Sequence, residues 1–185
     1  YPETFEKTYR EMMMNKLGLG SFRHEEDDAL IAELFGVLQA TVTDMTIFYR
    51  RLANVDPAIV ATQTDDQRIA PLLDAYYAPA ELDEEITKRI GGWLRSYAER
   101  LLTDDLPATE RRAKMNRVNP KYVLRNYLAQ LAIDKAEAGN PTMVDELLDV
   151  MRRPYDEQPE RAQYAEKRPD WARTRPGCSA LSCSS

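Results

Sequence analysis

The side chains best suited to chemistry are six cations crowded into fifteen positions of an otherwise acidic chain. They are Arg111, Arg112, Lys114, Arg117, Lys121 and Arg125. Guanidinium and ammonium groups bind carboxylates and phosphates, so this basic segment (residues 111–125) predicts a docking surface for an acidic or phosphate-bearing partner. The alternative is a solvated or internally paired face, and the sequence alone leaves both interpretations open.

Three other groups of residues could do chemistry, and each has a simpler structural interpretation. The acidic run 25–28 could provide acid and base groups, but carboxylates at a helix start are typical of capping and of interaction with the helix dipole. Gly18-Leu19-Gly20 resembles the beginning of a phosphate loop, yet no Lys-Ser/Thr follows and no strand precedes it, which favours a helix cap. His24 is the single histidine of the chain, which argues against a metal site there.

Charge and composition limit the classes of function. A net charge of -6 and a pI near 5.0 argue against binding to nucleic acid. We find no apolar run long enough to cross a membrane and no signal-peptide pattern. Both cysteines, Cys178 and Cys183, lie in the last eight residues, so no disulfide framework supports the fold and a reducing compartment is compatible with it.

The elements that must position these residues are predicted to be helices. Hydrophobic residues make up 43% of the 185 positions, which is enough for one sizeable core, and the seven glycines leave little room for a many-stranded sheet. We predict an all-α fold of about seven helices in one irregular domain, 1–155, followed by an extended strap with a cysteine-containing tail, 156–185. The helices are predicted at about 4–16, 25–51 (with a possible kink at 41–43), 65–77 and 83–103, in the basic stretch after Pro107, from Asn119-Pro120 to Gly139, and from Asn140-Pro141 onward. Apolar residues at helical spacing predict their buried faces. These include Phe5, Met12, Val42, Met45, Ile86, Ile90, Trp93, Leu94, Tyr97, Leu101, Met143, Val144, Leu147 and Leu148.

The helix predicted at Asn119-Pro120 is the most hydrophobic in the chain. Asn119 can cap a helix and Pro120 can occupy its first turn, so we expect an abrupt helix start there. Its apolar residues recur every three or four positions, which predicts the centre of the core. They are Val123, Leu124, Tyr127, Leu128, Leu131 and Ala132.

Two further expectations concern packing. Gly91-Gly92 lies inside the helix at 83–103 and costs stability, which predicts another helix packed closely beside Trp93. The strap is rich in proline and charge, and Trp171 is its one large apolar residue. We therefore expect Trp171 to fill an apolar pocket on the helical body.

Several blocks of sequence, in order, resemble the C-terminal part of the selenoprotein O family, protein adenylyltransferases with a kinase-like (pseudokinase) fold. Met45, Tyr49 and Arg168 depart from the family pattern at packing positions. The matching blocks are Lys16-Leu17-Gly18-Leu19, Asp44-Met45-Thr46, 48–52, Trp93 with Tyr97 and Arg100, 115–126 (MNRVNPKYVLRN), 154–160, 169–172 and Cys183-Ser184-Ser185.

The resemblance implies an enzyme that transfers AMP from ATP to Ser, Thr or Tyr hydroxyls of proteins with Mg²⁺. The family's catalytic machinery lies upstream of the matched region, so we assign no catalytic, cofactor-binding or metal-binding residue here and expect this chain alone to be inactive. The implied partners are the upstream kinase-like domain and the protein substrates, without nucleic acid or membrane. The implied location is the cytoplasm, or the mitochondrion for a eukaryotic member. Because the chain begins at Tyr1 rather than Met, we expect it to be part of a longer protein.

The resemblance also gives the tail a possible role. Cys183 is third from the end, where animal members carry selenocysteine and bacterial members usually carry Cys. We hypothesise a redox latch in which Cys183 pairs with Cys178 or with a cysteine of the upstream domain; the alternative is an inert exposed thiol. A competing function for the whole chain is a non-catalytic helical module whose basic segment and strap bind a partner protein.

Overall fold

The computed structural model describes residues 2–178 and confirms the all-α fold. Within that range the chain forms nine α-helices and four short 3-10 helices, and one isolated bridge, between Thr43 and Tyr76, is its only β pairing. The chain divides into two compact units, Tyr1–Asn119 (unit 1) and Pro120–Ser185 (unit 2). Each unit has its own cluster of buried apolar side chains.

Unit 1 contains seven α-helices and two 3-10 helices. The α-helices are α1 (Pro2–Leu17), α2 (His24–Ala40), α3 (Met45–Leu52), α4 (Pro57–Val60), α5 (Asp65–Ile69), α6 (Glu84–Leu101) and α7 (Ala108–Val118). The 3-10 segments, Ala70–Ala75 and Pro79–Glu81, lie between α5 and α6.

Helix α6 is the centre of the unit 1 core. The side chain of Asp83 accepts the Ile86 N–H and caps its start, and the apolar stripe predicted for it is buried from Ile90 onward. Trp93 and Tyr97 are fully buried and their rings stack with centroids 5.3 Å apart. The close helical neighbour predicted here is α5, which packs on Gly91: a Cβ at Gly91 would lie 2.5 Å from the Cβ of Asp65, whereas Gly92 faces open space.

The predicted helix at 25–51 is two helices in the structure. Thr41 is extended, Thr43 bridges to Tyr76, and Asp44 then starts α3 by accepting the Ile47 N–H at 3.1 Å. The β-branched residues therefore mark a full interruption rather than a kink, because a new cap is available directly after them.

Unit 2 contains α8 (Asn126–Glu137), α9 (Thr142–Arg152) and the 3-10 helices Pro159–Ala165 and Asp170–Arg173. Gly139, at φ +86°, ends α8 as predicted. The described part of the strap is not extended, since the two 3-10 segments belong to it. Buried residues on these elements include Tyr127, Leu128, Ala132, Met143, Leu147, Val150, Tyr164, Ala172 and Cys178.

The helix start predicted at Asn119-Pro120 is wrong. Asn119 is the C-cap of α7, and α8 begins seven residues later at Asn126. The Asn119 side chain does not cap a following helix because it binds α1 instead: Asn119 Nδ2 donates to the carbonyl of Lys16 at 2.9 Å. Leu124, expected in the core, lies outside α8 and is 56% exposed.

Candidate docking surface and its supporting network

The four basic residues of α7 have different environments. Arg112 and Arg117 are exposed, as a docking surface requires. Arg111 is only 3% exposed and donates from Nη2 to the carbonyl of Val55 at 2.5 Å. Lys114 is half-buried and donates to the carbonyl of Leu19 at 2.6 Å. The structure thus places only two of these four cations where solvent or a partner reaches them fully.

The two remaining basic residues belong to unit 2. Lys121 is half-buried and forms an ion pair with Glu157, and its backbone N–H donates to the carbonyl of Pro154 at 2.8 Å. Arg125 is the N-cap residue of α8 and is also half-buried. Because these two cations are in a different unit from α7, the structure divides the basic segment rather than presenting it as one helical face.

The loop between α1 and α2 is held by side chains from other elements, among them Lys114 of α7. Gly18 ends α1 at φ +69°, in the left-handed region that favours glycine, which agrees with the predicted helix cap. The carbonyl of Leu17, the last residue of α1, accepts the Tyr97 hydroxyl at 2.7 Å, and the loop carbonyl of Leu19 accepts from Lys114. Burial lowers the pKa of Lys114, and the nearby Asp104 carboxylate partly offsets this effect.

A buried ion pair holds the other end of this loop. Arg100 donates from Nε and Nη2 to the two carboxylate oxygens of Asp27, at 2.7 and 3.1 Å, and the two side chains are 2% and 0% exposed. Arg100 also reaches Asp104 at 2.8 Å and the carbonyl of Ser21 at 2.7 Å. Burial alone would lower the pKa of Arg100, but the hydrogen bonds to Asp27 and Asp104 outweigh burial and raise it.

The ion pair between Arg100 and Asp27 was not predicted from the sequence, although the position of Arg100 indicated a buried charge. Arg100 lies on the same helical face as Trp93 and Tyr97, so a charge was placed within an apolar stripe, and such a charge needs a partner. Asp27 also keeps a capping role, since its Oδ2 accepts the N–H of Arg23 just before α2 at 2.6 Å.

The C-terminal end of α7 has a second cluster of cations. Lys16 donates to Asn119 Oδ1 at 3.1 Å and lies 4.6 Å from the centroid of the Tyr49 ring. Arg50 donates to the carbonyls of Asn116 and Asn119, both at 3.4 Å. Cations near a helix C-terminus are favoured by the dipole and satisfy carbonyls that have no partner within the helix. Burial lowers the pKa of Lys16 and, at the same place, raises the pKa of Tyr49 to about 12.

The end of the described strap folds back onto unit 2. Trp171 is 46% exposed and contacts Tyr127 edge to face, with ring centroids 6.2 Å apart, so it does not fill a pocket as expected. Cys178 instead is buried, 3% exposed, and its thiol is free. The other half of the redox hypothesis, Cys183, lies outside the described residues.

The groove beside His24 is open to solvent and is lined by charges of both signs. His24 contacts Phe22 edge to face beside a groove of about 360 Å³, whose lining also includes Arg10 and Glu6. Among the described residues no group of three or more His, Cys, Asp or Glu could hold a metal ion. A search of the same residues finds no helix that is both long and apolar enough to cross a membrane.

Several apolar residues with helical spacing are exposed, although the sequence pattern predicted them to be buried. In α9 the core face is Met143, Leu147 and Val150, while Val144 and Leu148 are 46% and 51% exposed. The same holds in unit 1 for residues of α1, of the interruption before α3 and of α3 itself. They are Phe5 (69% exposed), Met12 (43%), Val42 (58%) and Met45 (48%).

Within residues 2–178, these features define an all-α region in which many polar side chains fix the chain's own loops and helix ends. The chain belongs to the family of the protein adenylyltransferase SelO, whose model matches residues 1–152. The resemblance drawn from the sequence blocks is thereby confirmed.

Named relatives agree with this assignment. The chain is 51% identical over 192 residues to the protein nucleotidyltransferase YdiU of Rhodopirellula baltica, with 100% of this chain and 35% of the relative covered. It is 50% identical to the protein of that name in Azoarcus sp. and 45% identical to the one in Flavobacterium johnsoniae, and each match covers 100% of this chain and 34% of the relative. The chain therefore spans about a third of the length of these relatives.

Proposed function

We propose that this chain is the C-terminal helical part of a protein adenylyltransferase, and that it supports a kinase-like (pseudokinase) domain preceding it in the same polypeptide. The whole protein transfers AMP from ATP, with Mg²⁺, to Ser, Thr or Tyr hydroxyls of protein substrates in the cytoplasm. In this arrangement the chain supplies shape and stability, while the groups that bind ATP and metal belong to the preceding domain.

The observation that carries the supporting role is the set of exposed apolar side chains on helices. An isolated helical module is expected to place such residues inside, because each buried large apolar side chain gains about 1.5–3 kcal/mol. Val144 and Leu148 are one helical turn apart on α9 and form a second apolar stripe beside the buried one. This chain matches about a third of the length of its relatives. In a whole protein of this family, the remaining residues can therefore cover this stripe.

The basic segment and the tail have secondary roles in this proposal. Arg112 and Arg117 remain exposed and suit an acidic or phosphate-bearing surface of the kinase-like domain or of a protein substrate. Cys183 acts as a redox latch: hydrogen peroxide takes two electrons and two protons from the thiols of Cys183 and of Cys178, or of a cysteine in the preceding domain, which forms a disulfide and water. A thiol reductant reverses the step by exchange.

A chimera tests the proposed function directly. This chain replaces the matching 192 residues of the Rhodopirellula baltica relative, and transfer of labelled AMP from ATP to protein is measured. We expect transfer by the chimera, reduced transfer by the relative truncated before the matched region, and none by this chain alone. Adenylylation by the isolated chain, or a folded chimera without activity, would contradict the proposal.

A second experiment tests the apolar stripe of α9 in the same chimera. Val144→Glu with Leu148→Glu adds two negative charges to the stripe, and we expect it to lower AMP transfer and melting temperature of the chimera. The matched control, Thr142→Glu with Arg152→Gln, makes the same change in charge at exposed polar positions of α9. If both double variants behave alike, the stripe does not contact the preceding domain and the interaction-module alternative gains support.

A further inference from the structure

The end of the described strap carries a buried thiol behind a turn and an ion pair. Arg175 accepts the Cys178 N–H at its carbonyl, 3.1 Å away, and the two residues between them are Pro176 and Gly177. Gly177 has φ +79°, and a proline followed by a glycine at positive φ is the pattern of a type II turn. Cys178, the last residue of the turn, is 3% exposed and belongs to the buried cluster of unit 2.

Two side chains of helix α8, Asp134 and Gln130, contact this turn. Arg175 Nη2 donates to Asp134 Oδ2 at 2.6 Å, and Gln130 Nε2 donates to the other oxygen of Asp134 at 2.9 Å. The Arg175 guanidinium also lies over the Trp171 ring, 5.9 Å from its centroid. Gln130 itself contacts the turn, since a Cβ at Gly177 would lie 2.4 Å from its Oε1. We name Arg175, Asp134 and Gln130 the strap clamp.

We propose that the strap is a releasable cover for its own thiol: the strap clamp keeps Cys178 unreactive, and its opening lets the Cys178 thiolate attack a low-molecular-weight disulfide, which forms a mixed disulfide and releases the other half of the reagent as a thiol. A buried thiol is inert because an oxidant or an attacking thiolate cannot reach the sulfur. The side chains of Arg175 and Asp134 are 40% and 33% exposed, so the ion pair is weak enough to open without unfolding the helices. Reactivity at Cys178 is thereby set by a local equilibrium of the strap.

This inference stands apart from the adenylyltransferase proposal, because it concerns access to one sulfur rather than AMP transfer. It also differs from the latch at Cys183, since it assigns the control of reactivity to contacts between the strap and α8. An experiment that finds no disulfide at Cys183 would not contradict the cover, and an experiment that finds Cys178 always reactive would not contradict the latch.

The test measures the rate at which a thiol reagent labels Cys178 in the full 185-residue chain carrying Cys183→Ser. We expect labelling in the native wild-type background at least about tenfold slower than in the chain unfolded by urea. Asp134→Asn should raise the native rate about three- to fivefold by removing the ion pair. Gly177→Ala should raise it about tenfold or more, because it places a side chain at positive φ against Gln130.

Two controls distinguish local release from general destabilisation. Asp149→Asn removes a carboxylate of a similar ion pair on α9, 2.8 Å from Arg152, and should leave the labelling rate unchanged. Labelling through local release should change little with low urea concentrations, whereas labelling through global unfolding rises steeply. The proposal is overturned if wild-type Cys178 reacts as fast as in the unfolded chain. It is equally overturned if the clamp variants match the control, or if their labelling follows global unfolding.

Discussion

Replacing Asp27 by Asn should destabilise unit 1 strongly, while the same change at the next residue should not. Asp27 Oδ2 accepts two hydrogen bonds, from the Arg23 N–H at 2.6 Å and from Arg100 Nη2 at 3.1 Å, and Oδ1 accepts a third from Arg100 Nε. An Asn side chain keeps one oxygen, so its NH₂ group must face at least one of these donors. Buried polar groups left without a partner cost about 1–3 kcal/mol each, and a buried pair that loses one charge costs about 3–5 kcal/mol.

Arg100 keeps Asp104 as a partner in this variant, so we expect the lower part of that range, about 3 kcal/mol. Asp28 provides the matched control, because Arg10 binds both of its oxygens with the same geometry, at 3.2 and 2.8 Å. The Arg10 and Asp28 side chains are 30% and 38% exposed, so water replaces the lost interactions and Asp28→Asn should cost clearly less.

Urea unfolding followed by Trp93 fluorescence measures the effect on unit 1 alone when Trp171 is replaced by Phe, since the chain has two tryptophans and one lies in each unit. The reasoning is refuted if the two Asn variants lower the free energy of unfolding equally. It is also refuted if Asp27→Asn shifts the midpoint no more than the experimental error.

Two further predictions follow from the same structure. Gly91→Ala should lower the free energy of unfolding by about 1–3 kcal/mol because the new Cβ meets Asp65. Gly92→Ala should raise it by about 0.5–1 kcal/mol because a Cβ there has open space. Urea unfolding of both variants measures the two changes, and changes of equal sign would contradict the packing. Hydrogen bonds from Gln130 and Arg175 lower the pKa of Asp134 in the folded chain. Its stabilising effect on unit 2 is therefore complete above the ordinary carboxyl pKa of about 4 and is lost as the pH falls below it. Acid titration of Trp171 fluorescence should show this loss in wild type as the pH falls below about 4, and Asp134→Asn should remove the dependence.

Two Asn-Pro dipeptides show how far the sequence could predict helix starts. At Asn140-Pro141 the prediction holds closely, because Asn140 Oδ1 accepts the Thr142 N–H at the start of α9, at 3.2 Å. At Asn119-Pro120 the same local signal fails, because the Asn119 side chain is bound by Lys16, 103 positions away. A local pattern predicts what a side chain can do for its neighbours, but a distant partner can use the same side chain first.

The candidate site shows a similar division. Periodicity predicted the buried face of α6 because an apolar stripe and a capping Asp83 are both local features. It could not separate buried Arg111 from exposed Arg112, because the acceptor that decides the matter, the carbonyl of Val55, belongs to a loop 56 positions earlier. It also predicted Val144 and Leu148 to be buried, which this chain alone does not achieve.

Several cations of unit 1 share a use, and two of them, Arg111 and Lys114, belong to the basic segment. Arg50, Arg68, Arg100, Arg111 and Lys114 each donate to a backbone carbonyl in a loop or at a helix end. Such carbonyls lack partners within regular helices, and an irregular bundle of short helices contains many of them. Basic side chains used in this way cannot also form a docking surface, so a partner of this unit should meet exposed apolar residues first and the charges of Arg112 and Arg117 second.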